Sequence, residues 1–276
     1  ETPERARYNQ ILFSTERDLG AFGSMVLPKT SPLYGLKVDV AVMNGVAGVN
    51  PEFDSHKDFS GRVQYSRTIK SEKVSWAIGA SSYYGGYKLG TVKDYNFATL
   101  ASGDKGFEFA KDTADYTRVG KRIYMGADAQ ASFDWKPGIT TLRAEYITGE
   151  QPGVTSNSLS PRGVPTGAIY HRKFNGAYFY FIQNIGQSKF QAVVKYDWYD
   201  PNIQIAGKDI GKAGTNTKNA GDIRFDTYGF GVTYRINAFA KIIVYYDLVK
   251  NEGTLVPGYE KDIKDNVTTI RMQMKF

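Results

Sequence analysis

The chain has 276 residues and no cysteine, and its 35 Lys and Arg outnumber its 28 Asp and Glu for a net charge of +7. Its mean hydropathy of −0.41 resembles that of a soluble protein, and no apolar run approaches the ~18–20 residues of a membrane-spanning helix. Helical membrane insertion is excluded, but a barrel remains open, since a barrel strand is apolar only at every second residue. Aromatics at 14%, with 20 Tyr, 16 Phe and 29 Gly, favour strands and turns. Absent cysteines fit a reducing cytosol and a disulfide-free envelope protein alike. The basic balance points to anionic partners (nucleic acid, lipid headgroups or anions in transit) or to a solvated basic surface. Glu1 opens a polar stretch without an apolar h-region, so mature protein or a piece of a longer chain is expected.

In chain order, period-two alternation predicts eleven strands: 17–27, 33–44, 57–69, 72–86, 121–135, 139–149, 172–184, 188–200, 223–235, 238–250 and 264–276. The first and seventh alternate poorly. In the fifth, Ile123, Met125, Ala127, Ala129, Ala131, Phe133 and Trp135 share one face. The eighth places Phe190, Ala192, Val194, Tyr196 and Trp198 opposite Lys189, Gln191, Lys195 and Asp197. The tenth sets Ile242, Val244, Tyr246 and Leu248 against Lys241, Tyr245 and Asp247. The last sets Ile270, Met272, Met274 and Phe276 against Arg271, Gln273 and Lys275. Helical spacing would scatter these residues around a cylinder; a strand gathers them on one side.

The connections alternate short and long throughout: 28–32, 45–56, 70–71, 87–120, 136–138, 150–171, 185–187, 201–222, 236–237 and 251–263. In an up-and-down barrel every second connection lies at the same end, and outer-membrane barrels have short periplasmic turns and long outward loops. A Greek-key sandwich gives no reason for such sorting. Tyr196, Trp198 and Tyr199 end an ascending strand, and Phe133, Trp135 and Phe276 end descending ones, which suits interfacial girdles. The expected fold class is therefore all-β, a transmembrane antiparallel up-and-down β-barrel.

Four stretches carry a family resemblance: GITTLRAEYITGEQPG at 138–153, FNGAYFYFIQNIG at 174–186, AVVKYDWYDPN at 192–202 and the terminal TTIRMQMKF. Together the chain resembles the phosphate-selective porin O and P family over nearly its whole length. The resemblance implies a sixteen-stranded homotrimer with a basic pore, seated in outer-membrane lipid and lipopolysaccharide. It makes the eleven strands the last eleven, with five upstream. Residues 1–16 then form the trailing part of an inward-folded constriction loop, with a short helix over 3–13, and residues 17–276 the C-terminal strands of one barrel domain.

With apolar faces toward lipid, strand parity places Lys37, Arg62, Arg122, Arg143, Lys189, Lys195, Arg235, Lys241, Arg271 and Lys275 in the lumen, joined by Arg5 and Arg7 from the loop. The acids of that face are Asp39, Asp128, Asp134, Glu145, Asp197 and Asp247. Rings of Arg and Lys are the expected filter for anions, because guanidinium donors replace lost hydration. Arg143 with Glu145, and Lys195 with Asp197, sit two apart and are expected to neutralise each other in part. The modest excess of cations points to general anion preference ahead of strict phosphate selectivity.

Neither a catalytic set nor a metal or cofactor site is expected. His56 and His171 fall in separate predicted loops without nucleophile or ligand spacing. Asp112 with Asp115, and Asp262 with Asp265, lack calcium-loop spacing. Gly229-Phe230-Gly231 lacks the phosphate-loop pattern and fits small residues in a barrel wall. Arg118, Lys121 and Arg122 are basic, but the aromatic faces are committed to the membrane, so no nucleic acid is expected. The leading reading is a porin for passive diffusion of small anionic solutes. The alternatives are a binding or scaffold barrel in an envelope complex, using loop 87–120, and a soluble β-sheet carbohydrate-binding module; a barrel enzyme ranks last.

Overall fold

The computed structural model describes residues 5–13, 17–45, 52–69, 73–90, 92–113, 118–161, 163–217 and 219–275. A short helix, α1 (Arg7–Leu12), precedes β1 (Gly20–Val26), β2 (Leu36–Met43), β3 (Asp58–Ile69), β4 (Val74–Lys88), β5 (Val92–Thr99), β6 (Lys105–Thr113) and β7 (Val119–Trp135). There follow β8 (Gly138–Gly153), β9 (Ile169–Asn184), β10 (Phe190–Asp200), β11 (Phe225–Arg235), β12 (Ala240–Asn251) and β13 (Val267–Met274). The wall runs β1-β2-β3-β4-β7-β8-β9-β10-β11-β12-β13, each strand antiparallel to the next. This is the up-and-down meander of a β-barrel, and each predicted strand has its counterpart in it. The terminal Phe276 and residues 1–4 and 14–16 lie outside the described residues.

The predicted loop 87–120 contains two further strands. β5 and β6 form a hairpin off the wall, with a register shift between Asp94 and Tyr95. It touches β9 through a two-residue parallel bridge, Asp94 to Ile169 and Tyr95 to Tyr170. Its rings pack on protein: Phe107 meets Tyr170 edge-on at 4.9 Å and Tyr95 stacks on Tyr170 at 4.8 Å. A hairpin packed on one side against β9 and the loops has no lipid-facing row, so its alternation is short and broken.

Cross-strand partners point to the same side of a sheet, so the register assigns both faces. One face carries Val40, Phe59, Ile78, Met125, Leu142, Phe179, Val194, Phe230, Val244 and Ile270, all solvent-exposed, with Met125 at 59% and Ile270 at 74%. The opposite face carries the ion pairs and converges on α1. The Tyr8 hydroxyl donates to Glu145 of β8 at 2.7 Å, the Arg7 guanidinium lies 3.9 Å over the Phe225 ring of β11, and Phe13 meets Tyr83 of β4 edge-on at 6.3 Å. A six-residue helix is only ~9 Å long. β4 and β11 would lie ~24 Å apart in a flat sheet, so the wall curls around the helix. The charged face is the inner one.

Turns at one end are tight. At the β7–β8 turn Gly138 has φ +108, and a Cβ there would meet the Asn184 carbonyl and the Gly186 nitrogen. On the inner face Gly229 and Gly231 of β11 leave a slot for the Tyr245 ring of β12, which lies across both. Gly231→Val would drive a side chain into that ring. We expect a loss of about 1–3 kcal/mol, read as a lower midpoint of thermal unfolding in detergent. Gly163→Ala, where a Cβ meets nothing within 4 Å, serves as the neutral control.

Candidate functional site

Strand parity brings opposite charges onto the inner face, but three of its ion pairs join strands that are not neighbours. Lys195 of β10 opposes Gly229 of β11, which opposes Asp247 of β12. Over that glycine Lys195 Nζ reaches Asp247 Oδ1 at 3.2 Å, and it also meets Asp197 Oδ2 of its own strand at 3.0 Å. Arg62 of β3 reaches Asp128 of β7 over Gly79 of β4, with Nη2 2.6 Å from Oδ1 and Nε 3.2 Å from Oδ2. Arg122 of β7 meets Asp58 of β3 over Gly85. Second-neighbour strands lie ~9.6 Å apart, a gap a long cationic side chain closes only when nothing rises from the middle strand. A Cβ at Gly79 or Gly85 would collide with the carboxylate lying above it.

The remaining expected residues distribute as follows. Lys37 Nζ pairs with Asp39 Oδ2 at 2.9 Å. Arg7 donates its backbone N–H to Asp197 Oδ1 at 3.0 Å, and its guanidinium lies 3.9 Å from Asp265. Arg5 Nη1 donates to the Phe13 carbonyl at 3.3 Å, folding back on α1. Lys189 Nζ donates to the Ile236 carbonyl at 2.9 Å, at the turn end. Arg235 opposes Lys241 across β11 and β12 at the same end, and Arg271 lies exposed on β13 opposite Ile243. Lys275 is exposed beyond the end of β13. The structure brings Arg62, Arg122 and Lys195 into compensated clusters and leaves the turn-end cations apart from them.

Arg143 stands out. It is exposed on the inner face of β8 between Gln130 and Tyr180, and among the described residues it has no acid partner. The expected Arg143–Glu145 neutralisation is absent, because Glu145 accepts hydrogen bonds from Tyr8 at 2.7 Å and Tyr178 at 3.1 Å. Two phenols, one from α1 and one from β9, satisfy the carboxylate first.

Three features escaped sequence reasoning. Arg172, 1% exposed, binds Asp222 Oδ1 through Nε at 2.9 Å and the Val154 and Thr155 carbonyls through its Nη atoms, tying two long loops to β9. It lies where the seventh strand alternates poorly. Asp58 shares the parity of Arg62, four residues on, which could have flagged it. His171 is a β9 residue, not a solvated loop residue: its Nε2 lies 2.7 Å from Asp94 Oδ1, and Asp94 also binds Arg118. Ile205, Ile210, Ile223 and Val256 form an apolar cluster at this long-loop end, against Phe97 of the hairpin. There Lys212 bonds Asp104 and holds its carboxyl below the usual range.

A cavity of about 470 Å³ opens between Leu12–Phe13 and the inner faces of β1, β2, β3, β4 and β7. Among the described residues no group of acidic or histidine side chains has the arrangement of a metal site.

No family model and no curated protein matches the chain. Among solved structures it is similar to a porin refined at 1.8 Å resolution, with a TM-score of 0.50 and 13% identity. The match covers 92% of this chain and 60% of the porin chain, so the chain spans less than two thirds of that porin. At such identity the likeness bears on the fold, which is that of a porin-like β-barrel.

The charge clusters predict a sharp contrast. Lys195→Met strands Asp197 and Asp247 in a buried site, where side-chain exposures are 2%, 0% and 8%, and should cost about 3–5 kcal/mol. Arg143→Gln should stay within about 0.5 kcal/mol of the parent. Thermal unfolding of the two variants side by side in detergent reads the difference.

Proposed function

We propose that the chain is the C-terminal part of an outer-membrane porin that lets small solutes, preferentially anions, diffuse through a water-filled lumen. One observation carries this reading: the wall is apolar where it faces outward and ion-paired where it faces inward. Exposed apolar rows such as Val40–Val42, Phe179–Phe181 and Phe230–Val232 are unfavourable in water at about 25 cal/mol per Å² and carry no such penalty in hydrocarbon. The same rows argue against a soluble carbohydrate-binding module.

Topology supports further strands. The eleven wall strands alternate in direction, so β1 and β13 run the same way and cannot pair antiparallel with each other. An odd number of additional strands closes an all-antiparallel barrel, and five would make sixteen, the even number expected of outer-membrane barrels. Residues 1–16 fit the trailing part of an inward loop, with α1 anchored through Tyr8 and Arg7 to the wall. In this reading the protein resembles the phosphate-selective porin O and P family, assembles as a trimer and lies among lipid and lipopolysaccharide. No chemistry of bond making is assigned to it.

Selectivity falls to the cations without an internal acid, Arg143 foremost. Lys37, Arg62, Arg122 and Lys195, grouped with it by parity, are spent on carboxylates. A second reading, a binding barrel, draws on the packed long-loop end, where Ile205, Ile210, Ile223 and Val256 give a firm surface.

Reconstitution into planar bilayers separates the two. Discrete conductance steps from full-length protein support the porin; a folded protein that gives none leaves the binding barrel. In a KCl gradient the reversal potential should show chloride preferred over potassium. Arg143→Glu should lower that preference about twofold or more without a change in thermal unfolding. An unaltered reversal potential would place Arg143 off the ion path.

A further inference from the structure

The cavity beside α1 holds a charge arrangement that the general anion preference does not use. Its body is apolar, formed by Leu12, Phe13, Phe22, Met43 and Ile147, with Arg17 in its lining. The other charged groups there are already satisfied. Arg62 is held by Asp128, and Arg122 by Asp58 and the Ser160 hydroxyl. Asp39 is bound by Lys37 and Ser24, and Asp18 accepts the backbone N–H groups of Leu19 and Gly45 at 2.8 Å each. Arg17 is exposed and, among the described residues, has no acid partner. The N–H groups hold Asp18 without cancelling its charge, and the cavity pairs one guanidinium that has no acid partner among the described residues with a mainly apolar chamber.

We propose that this cavity binds a small aromatic monocarboxylate, its carboxylate on Arg17 and its ring among Phe13, Phe22 and Met43. This deepens the porin reading and rests on the inner face being reachable by solute. A planar guanidinium matches a carboxylate with two parallel donors. A single guanidinium docks one carboxylate, and the Asp18 charge in the same lining adds to the cost of carrying a second one into apolar surroundings, so a monoanion is favoured over a dianion. The volume, about 470 Å³, lies within the range that small-ligand sites occupy, and aromatic walls favour a flat ring by offset or edge contact.

The test is titration calorimetry of benzoate into full-length protein in detergent, with benzamide, acetate and inorganic phosphate as comparators. Saturable benzoate binding stronger than that of all three comparators is expected. Arg17→Gln should weaken it by about tenfold or more. Ala41→Phe, which narrows the cavity from β2 without touching Arg17, should weaken benzoate and leave the thermal midpoint unchanged. The proposal is overturned by absent benzoate binding, by benzamide or phosphate binding as well as benzoate, or by an Arg17→Gln affinity equal to the parent's. Conductance is read separately on the same preparations. A protein that binds benzoate but conducts nothing rejects the pore and keeps the site; a conducting protein without benzoate binding does the reverse.

Discussion

An ion pair that must reach across an intervening strand governs the inner face. Adjacent-strand partners need nothing special, but Lys195–Asp247, Arg62–Asp128 and Arg122–Asp58 each skip a strand, and each passes over a glycine: Gly229, Gly79 or Gly85. The glycine lowers the floor so that a long cation can lie flat and meet its carboxylate. Each such arrangement ties three strands with side chains in addition to their backbone ladder. The same slots admit the Tyr245 ring and let Asp58 settle against β4. Composition, register and electrostatics converge in this device, and the count of 29 glycines is partly its consequence.

The helix depends on the same face. Tyr8 and Tyr178 share Glu145, and Gly176 lies so close to Tyr8 that a Cβ there would be 3.0 Å from the ring. Asp197 serves Lys195 and the backbone of Arg7 together. The segment inside the wall is thus anchored through groups that the wall needs for its own cohesion. Movement of α1 would expose carboxylates the strands have already desolvated.

The wall was legible in the sequence because lipid-facing rows and short turns leave strict signals. Ile123 to Trp135 and Phe190 to Trp198 could be assigned a face from period two alone. Asp94 to Phe109 could not, since a hairpin packed on Tyr170 and the loops satisfies its rings irregularly. Parity also put Arg62, Arg122, Lys195 and Arg143 on one face, but it treats them alike. Which of them keeps a free charge depends on second-neighbour reach, which no local pattern encodes. His171 was misplaced for a related reason: its partner, Asp94, lies 77 positions away.

Pairing Lys37, Arg62, Arg122 and Lys195 with acids has an electrical outcome for anything moving alongside the wall. Closely spaced opposite charges act as dipoles, whose field decays with distance faster than that of a lone charge. A solute travelling near the axis would feel little from those pairs and chiefly the cations that stand outside them, Arg143 among them. Discrimination would then be local and stepwise, and the passage would remain permissive between the steps.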